Sequence, residues 1–236
     1  MKDELGRRIK EFYEDALRVY LPRQTYFVVR VDGRAFHTFT RHLERPYSRR
    51  LAAALDAAAL VLAREMIGCR FAYGQSDEYS FLGTDLGSHA PLWFDGNVQK
   101  IASVSASVFT AAFNQAFPAS SPTSSPATFD ARVLCIPQAS EVEKYFLWRQ
   151  LDASANSLNM LASAHYSHQE LLGKTEAEKH DLLHAIGLNW AKEPIDFKRG
   201  RLLRRDENGA WMVDEAPPIF QREPAFLASL LSASPT

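Results

Sequence analysis

Apolar residues recur at Leu5, Ile9, Phe12 and Leu17 between Asp3 and roughly Arg18, a near-helical spacing with Asp3 available as an N-cap, so a helix is predicted to lead the chain. The period then changes. Tyr26-Phe-Val-Val-Arg-Val31 is β-branched and aromatic, lies between Pro22 and Asp32-Gly33, and reads as a strand ending at a turn. Ser48 to Ile67 is rich in Ala and Leu and stops at Gly68, which predicts a helix capped at both ends. Two short strands, Arg70 to Gly74 and Tyr79 to Gly83, flank Gln75-Ser76-Asp77-Glu78, a segment with the length and polarity of a hairpin connection. A helix is predicted over Val98 to Phe117, a mobile Pro/Ser-rich loop over Pro118 to Pro126, and a strand over Phe129 to Ile136. A long helix follows from Ser140 to about Tyr166, with Ser140 and Glu143 in capping-box spacing.

After the leading helix the order is β-α-β-β-α-β, which predicts an α+β fold: a ferredoxin-like, four-stranded antiparallel sheet with helices on one face. This core is expected to occupy residues 1–170. Residues 171–236 are expected to form a C-terminal extension packed on it, with a helix near Glu176 to Ile186 and a hairpin turning at Asn208-Gly209 between Arg201-Leu-Leu-Arg204 and Trp211-Met-Val213.

Composition changes this picture little. The 236 residues are 46% hydrophobic and 23% charged, ordinary globular material. No stretch approaches the roughly 20 apolar residues of a membrane span, and the charged N-terminus is unlike a signal peptide, so a cytoplasmic location is expected. Cys69 and Cys135 show no metal-binding spacing and read as buried small apolar residues. The 27 basic and 28 acidic residues nearly cancel, so net charge alone gives no reason to expect a nucleic-acid partner. Basic residues do cluster, at Lys192, Lys198, Arg199, Arg201, Arg204 and Arg205 and at Arg41, Arg45, Arg49 and Arg50; the plainer reading of either cluster is a solvated face.

The acids carry more chemistry. Asp32 ends the first strand, and Asp77 and Glu78 sit at the hairpin between the second and third. If the first and third of these strands are neighbours, carboxylates converge at one sheet edge, a setting that suits Mg²⁺, which takes one or two carboxylates together with substrate phosphates. A pair of such ions clamps the attacking and leaving oxygens of a nucleotidyl transfer. The plainer reading makes Asp32 a turn former and Asp77-Glu78 a hairpin tip. Gly33 can let backbone amides approach an anion, with Phe36 and Phe39 packing beneath the loop.

Asp32-Gly-Arg-Ala-Phe-His37, Tyr73-Gly-Gln-Ser-Asp-Glu-Tyr-Ser-Phe81, Phe129-Asp-Ala-Arg-Val133 and Trp148-Arg-Gln-Leu-Asp152 occur in the order and approximate spacing of the tRNA(His) guanylyltransferase family. The resemblance runs from Met1 to about Tyr166 and more loosely through Gly173-Lys174 to Gly200. It implies a polymerase-palm catalytic core with two Mg²⁺ ions held by Asp32, the Gly33 carbonyl and Asp77, and with Glu78 and Ser76 supporting catalysis. It further implies nucleotide binding at Gly33, Arg34, Ala35, Phe36, His37, Arg45 and Ser76. ATP and GTP or other nucleoside triphosphates would be substrates, and tRNA would contact Arg132, Arg149, Asp152, Asn156, Lys198, Arg199 and Arg201. A homotetramer is expected on the same basis.

Arg45 stands before Pro46 where relatives commonly carry Lys; it keeps the charge but offers a planar fork. The larger departure is Ser154-Ala-Asn-Ser-Leu-Asn-Met160, where enzymes that add one guanylate to tRNA(His) have a His-Ile-Asn-Asn-Leu-Tyr-Asn stretch. This resembles the guanylyltransferase-like 3′-5′ polymerase branch, whose members repair 5′-truncated tRNAs against a template, with guanylate addition to tRNA(His) the nearest variant. A nucleotide cyclase shares such a sheet, but the RNA-facing residues have no obvious use in one. An RNA-recognition domain shares the element order, yet its aromatic motif is missing and strand-end acids would repel RNA.

Overall fold

The computed structural model describes residues 2–87, 91–118 and 125–232. In chain order it contains α1 (Lys2–Ile9), β1 (Tyr26–Gly33), α2 (Phe36–Phe39), α3 (Arg49–Glu65), β2 (Cys69–Gln75), β3 (Glu78–Thr84), α4 (Val98–Ala116) and β4 (Phe129–Ile136). There follow α5 (Ala139–Ser163), α6 (His168–Leu171), α7 (Glu176–Ala185), α8 (Ile195–Arg199), β5 (Arg201–Arg205), β6 (Trp211–Asp214) and α9 (Pro224–Ser232). The βαββαβ core is present. The sheet itself is wider than expected, six antiparallel strands in the order β4-β1-β3-β2-β5-β6, because β5 pairs with β2 and brings the C-terminal hairpin into it.

Strand alternation sets the layers. Phe27, Val29 and Val31 of β1 and Tyr79 and Phe81 of β3 pack with Leu55 and Leu62 of α3 and Phe109 and Phe113 of α4, so the two core helices do share one face. Val28, Phe71, Tyr73, Leu82 and Leu202 face the other way, against Val142 and Phe146 of α5 and Leu227 and Leu231 of α9. Residues on both sides of position 170 therefore share one apolar layer. Each fully buried aromatic in these layers stabilises by roughly 2–3 kcal/mol relative to exposure.

Local signals fared unevenly. Ser48 caps α3, its side chain accepting from the Leu51 amide, and the Asn208-Gly209 turn closes with Gly209 at φ 80°. The capping box at Ser140 and Glu143 is not formed: α5 starts earlier, with Gln138 as N-cap and no side-chain cap bond. The leading helix leaves α geometry after Ile9, passing through a π turn at Lys10–Glu14 and a 3₁₀ turn at Asp15–Leu17, and Leu5, Ile9, Phe12 and Leu17 are all exposed. Cys69 is buried as expected but Cys135, on the sheet's edge strand, is exposed. Most of the expected loop at Pro118 to Pro126 lies outside the described residues. No helix among the described residues is long and apolar enough to cross a membrane.

Candidate active site

Register assembles the acids. At one end of the sheet Asp130 pairs with Asp32, Asp32 with Glu78, and Glu78 with Gln75, so four strands contribute one polar row. Asp77 stands beside it in the two-residue turn Ser76-Asp77, where Ser76 adopts a left-handed φ of 50° and its hydroxyl donates to Asp77 Oδ1 at 3.0 Å. The first and third strands of the core are indeed neighbours. Asp130 was not anticipated as part of the site, although period-two alternation along Phe129-Asp-Ala-Arg already placed it opposite a core residue.

The row is unevenly neutralised. Glu78 accepts two bonds from Arg149 Nη1 of α5, at 2.8 and 3.1 Å, and both side chains are buried. Burial pushes the Glu78 carboxyl up, and the Arg149 charge opposes that shift. Arg149 also reaches Asp152 at 3.3 Å, and Asp152 accepts from Gln75 at 3.1 Å and Asn156 at 3.2 Å. Arg149, Asp152 and Asn156 thus form the helical face expected of them, but it is turned to the sheet, and Arg149 acts on Glu78.

Asp32 and Asp77 have no ion pair among the described residues. Burial raises the Asp32 carboxyl above its ordinary value and Asp130 adds to the rise, outweighing Arg30, Arg132 and Arg149. Burial likewise raises Asp77, with Asp32 adding to it and the Ser76 bond opposing. Two partly desolvated carboxylates that repel one another fit a divalent cation. Among the described residues no cluster of three or more His, Cys, Asp and Glu side chains forms a protein cage. Magnesium bound by two carboxylates, a backbone carbonyl and substrate phosphates does not need one. Asp32, Asp77 and the Gly33 carbonyl would hold it.

Beside this edge opens a cleft of about 460 Å³. Its walls include Phe36 and His37 of α2, Arg45 and Tyr47 of the next loop, Ser76 and Asp77 of the turn, Asn156 and Met160 of α5, and Asp196, Gly200 and Arg201. Asp32, Gly33, Arg34 and Ala35 adjoin the cleft without forming its walls; Arg34 and Ala35 are exposed, and Ala35 takes φ 52° to start α2. Arg45 and His37 are exposed at the cleft, free to meet phosphate.

Gly33 is held small by Phe36. A Cβ there would lie 2.3 Å from Phe36 Cδ2, and that ring is wedged against Phe39, Phe113 and Phe129. Gly33→Ala is expected to destabilise by about 1–3 kcal/mol and to shift the loop, measured by urea unfolding together with nucleotide affinity.

The basic C-terminal cluster divides. Arg201 is 2% exposed, donates from Nε to Asp56 at 2.6 Å, and shares that carboxylate with the Tyr79 hydroxyl, so its side chain belongs to the interior and not to an RNA-facing patch. Lys198 is also buried and donates to the Ala191 carbonyl. Arg199 is half-buried, and Arg132 is exposed at 3.7 Å from Asp130. Tyr47 and buried Asp196, which hydrogen-bond across the cleft, and Asp56 were not foreseen; no local spacing signals partners 149 and 145 residues apart in sequence.

The sequence model of the family described as tRNAHis guanylyltransferase matches residues 6–137. The chain is 30% identical to the tRNA(His) guanylyltransferase of Schizosaccharomyces pombe over 227 residues, 89% of this chain and 85% of that protein. It is 31% identical to the one from Debaryomyces hansenii over 205 residues, 79% of this chain and 76% of that protein. Among solved structures, a bacterial tRNA(His) guanylyltransferase-like protein in complex with ATP superposes with a TM-score of 0.91 at 37% identity, covering 97% of this chain and all of the other. The enzyme from Saccharomyces cerevisiae gives 0.73 at 26% identity, covering 91% and 97%. The stronger likeness to the bacterial protein agrees with the branch indicated by Ser154 to Met160. With its motifs gathered at one sheet edge and relatives matching over most of its length, the chain belongs to the tRNA(His) guanylyltransferase family and is a nucleotidyltransferase of that family's guanylyltransferase-like branch.

Proposed function

We propose that the protein adds nucleotides in the 3′-to-5′ direction to the 5′ end of tRNA, restoring truncated ends against a template. The observation that carries this reading is the nearness of two unneutralised carboxylates, Asp32 and Asp77, beside a nucleotide-sized cleft, in a chain whose Ser154 to Met160 stretch departs from the dedicated guanylate-adding pattern. In the activation step, an oxygen of the tRNA 5′-monophosphate attacks the α-phosphorus of ATP and pyrophosphate leaves. In the addition step, the 3′-hydroxyl of a nucleoside triphosphate attacks the activated 5′-phosphorus and AMP leaves. Magnesium, when bound, would neutralise charge developing on the transferred phosphoryl oxygens.

The chain's own work is positioning. Ser76 holds the Asp77 carboxylate, Arg149 fixes Glu78 beside Asp32, and Arg45 and His37 face the triphosphate from the cleft rim. Gln75, Asp152 and Asn156 brace the wall formed by α5. Arg132 and Arg199 remain available for tRNA phosphates. Assembly as a homotetramer in the cytoplasm completes the proposal; the exposed Leu5, Phe12 and Leu17 supply apolar surface for contact between copies.

The deciding experiment incubates purified protein with Mg²⁺, ATP, all four nucleoside triphosphates and two 5′-monophosphorylated tRNAs, one lacking its first nucleotide and one an intact tRNA(His), and then sequences the 5′ ends. Templated restoration of the truncated tRNA is expected. Guanylate addition confined to tRNA(His) would replace the repair reading, and no addition to either would overturn both.

A further inference from the structure

Trp148 opens a sequence motif in which Arg149 and Asp152 join the carboxylate row and Gln150 bonds the backbone of Pro218 and Phe220, yet its own side chain is 51% exposed. Leu151, three residues on along the same helix, is also 51% exposed, so the two leave apolar surface of the kind that marks an interaction site. The indole is not loose. The Arg149 guanidinium carbon lies 3.6 Å from the centre of its ring, and Tyr145 packs edge-on at 5.8 Å. Arg149 is itself fixed by Glu78. The ring is therefore held in place before any partner arrives, which lowers the entropic cost of stacking something on it.

Trp148 and Tyr145 belong to the wall of an open groove between α5 and the end of edge strand β4, which also includes Ile136, Pro137 and Lys144. Lys144 is largely exposed there, and Arg132, further along β4, is also exposed. Lys144 stands in the groove beside Glu141, 2.7 Å away, near the Ile136 end of β4, whereas Arg132 lies toward the other end of the strand, two residues from Asp130 and 3.7 Å from its carboxylate. From Trp148 to that row is a chain of two contacts: indole to Arg149, Arg149 to Glu78, the cross-strand partner of Asp32. An exposed aromatic plane backed by a fixed guanidinium, with the exposed Arg132 on the strand that leads to the carboxylate row, is the chemistry that receives an unpaired nucleobase and its phosphate.

We infer that Trp148 is a stacking platform for the unpaired base at the acceptor end of the RNA substrate, positioning the 5′ terminus at Asp32 and Asp77. This rests on the proposed reaction and adds to it the element that grips the single-stranded end. Trp148 is a positioning residue: it acts on the RNA and touches no reacting atom. The competing occupant is a second copy of the chain, covering Trp148 together with Leu151, which is also 51% exposed.

The test uses the full chain and an acceptor-stem RNA lacking its first nucleotide, with 2-aminopurine at the templating position. Wild type is expected to bind this RNA and quench its fluorescence. Trp148→Ala is expected to weaken binding about tenfold, abolish the quench and raise KM for RNA more than it lowers kcat, while Trp148→Phe restores most of the quench. Unchanged quenching and affinity in Trp148→Ala would overturn the inference while leaving templated addition by wild type intact. A sedimentation shift in Trp148→Ala without loss of quenching would reassign the face to contact between copies. Failure of wild type to bind the RNA would overturn the proposed function and this inference together.

Discussion

Asp32→Ala and Asp77→Ala are each expected to lower nucleotide addition by about a thousandfold or more, which corresponds to ~4 kcal/mol of lost transition-state stabilisation. Both carboxylates stand at the surface end of the sheet, and neither belongs to the apolar layers, so the fold survives the change. Calorimetry separates the metal role from a merely structural one. Magnesium at about 100 times its dissociation constant should stabilise wild type by ~2.7 kcal/mol and leave Asp32→Asn or Asp77→Asn nearly unmoved. Without metal the sign reverses. Both carboxyls sit above their ordinary values, so the folded state binds more protons than the unfolded one, and stability falls as pH rises from about 4 through the raised values. The Asn variants lose that slope and should be more stable than wild type at neutral pH in chelator. A variant that keeps full activity and an unchanged magnesium response would remove its residue from the metal site.

Arg201→Met is expected to cost about 3–5 kcal/mol of folding stability, because it strands the Asp56 carboxylate in the interior. Arg201 Nε meets Asp56 at 2.6 Å with both groups buried, and Tyr79 shares the same acceptor. Replacing both members, as Arg201→Met with Asp56→Leu, should recover much of the loss, since no charge is then left buried alone. Arg199→Ala, two residues earlier, should change stability by less than about 0.5 kcal/mol and lower the salt dependence of tRNA binding by roughly one unit of slope. Urea unfolding and binding titrations across salt concentrations distinguish the two residues. Equal losses of stability at 199 and 201 would contradict the burial seen here.

The contrast between Arg199 and Arg201 marks where the sequence stopped being legible. Period-two alternation and turn residues located β1 to β4, and strand adjacency then brought Asp32 beside Glu78 because local pattern and pairing agree there. Whether an arginine in a basic run faces water or a carboxylate depends on its strand's neighbour. The pairing of β5 with β2, across more than a hundred residues of chain, leaves no periodic trace. Asp196 and Tyr47 were hidden for the same reason. The Ser140 capping box failed differently: its spacing was right, but α5 gained two residues when Gln138 took the N-cap position, so the signal described a helix slightly shorter than the one that packs. Leu5, Ile9, Phe12 and Leu17 show the opposite error, in which a sound amphipathic pattern predicted a helix whose apolar side chains remain 44–71% exposed.

The late position of Asp196, Gly200 and Arg201 in the chain also governs when the cleft can exist. Its loop wall, carrying Arg45 and Tyr47, and its carboxylate rim are synthesised early, but the opposing wall is encoded near the end. A chain ending after α5 would keep the wall that α5 supplies but lack the part formed by Asp196, Gly200 and Arg201. Removal of the chain beyond α5 is therefore expected to weaken nucleoside triphosphate binding even though the carboxylates of the sheet edge remain.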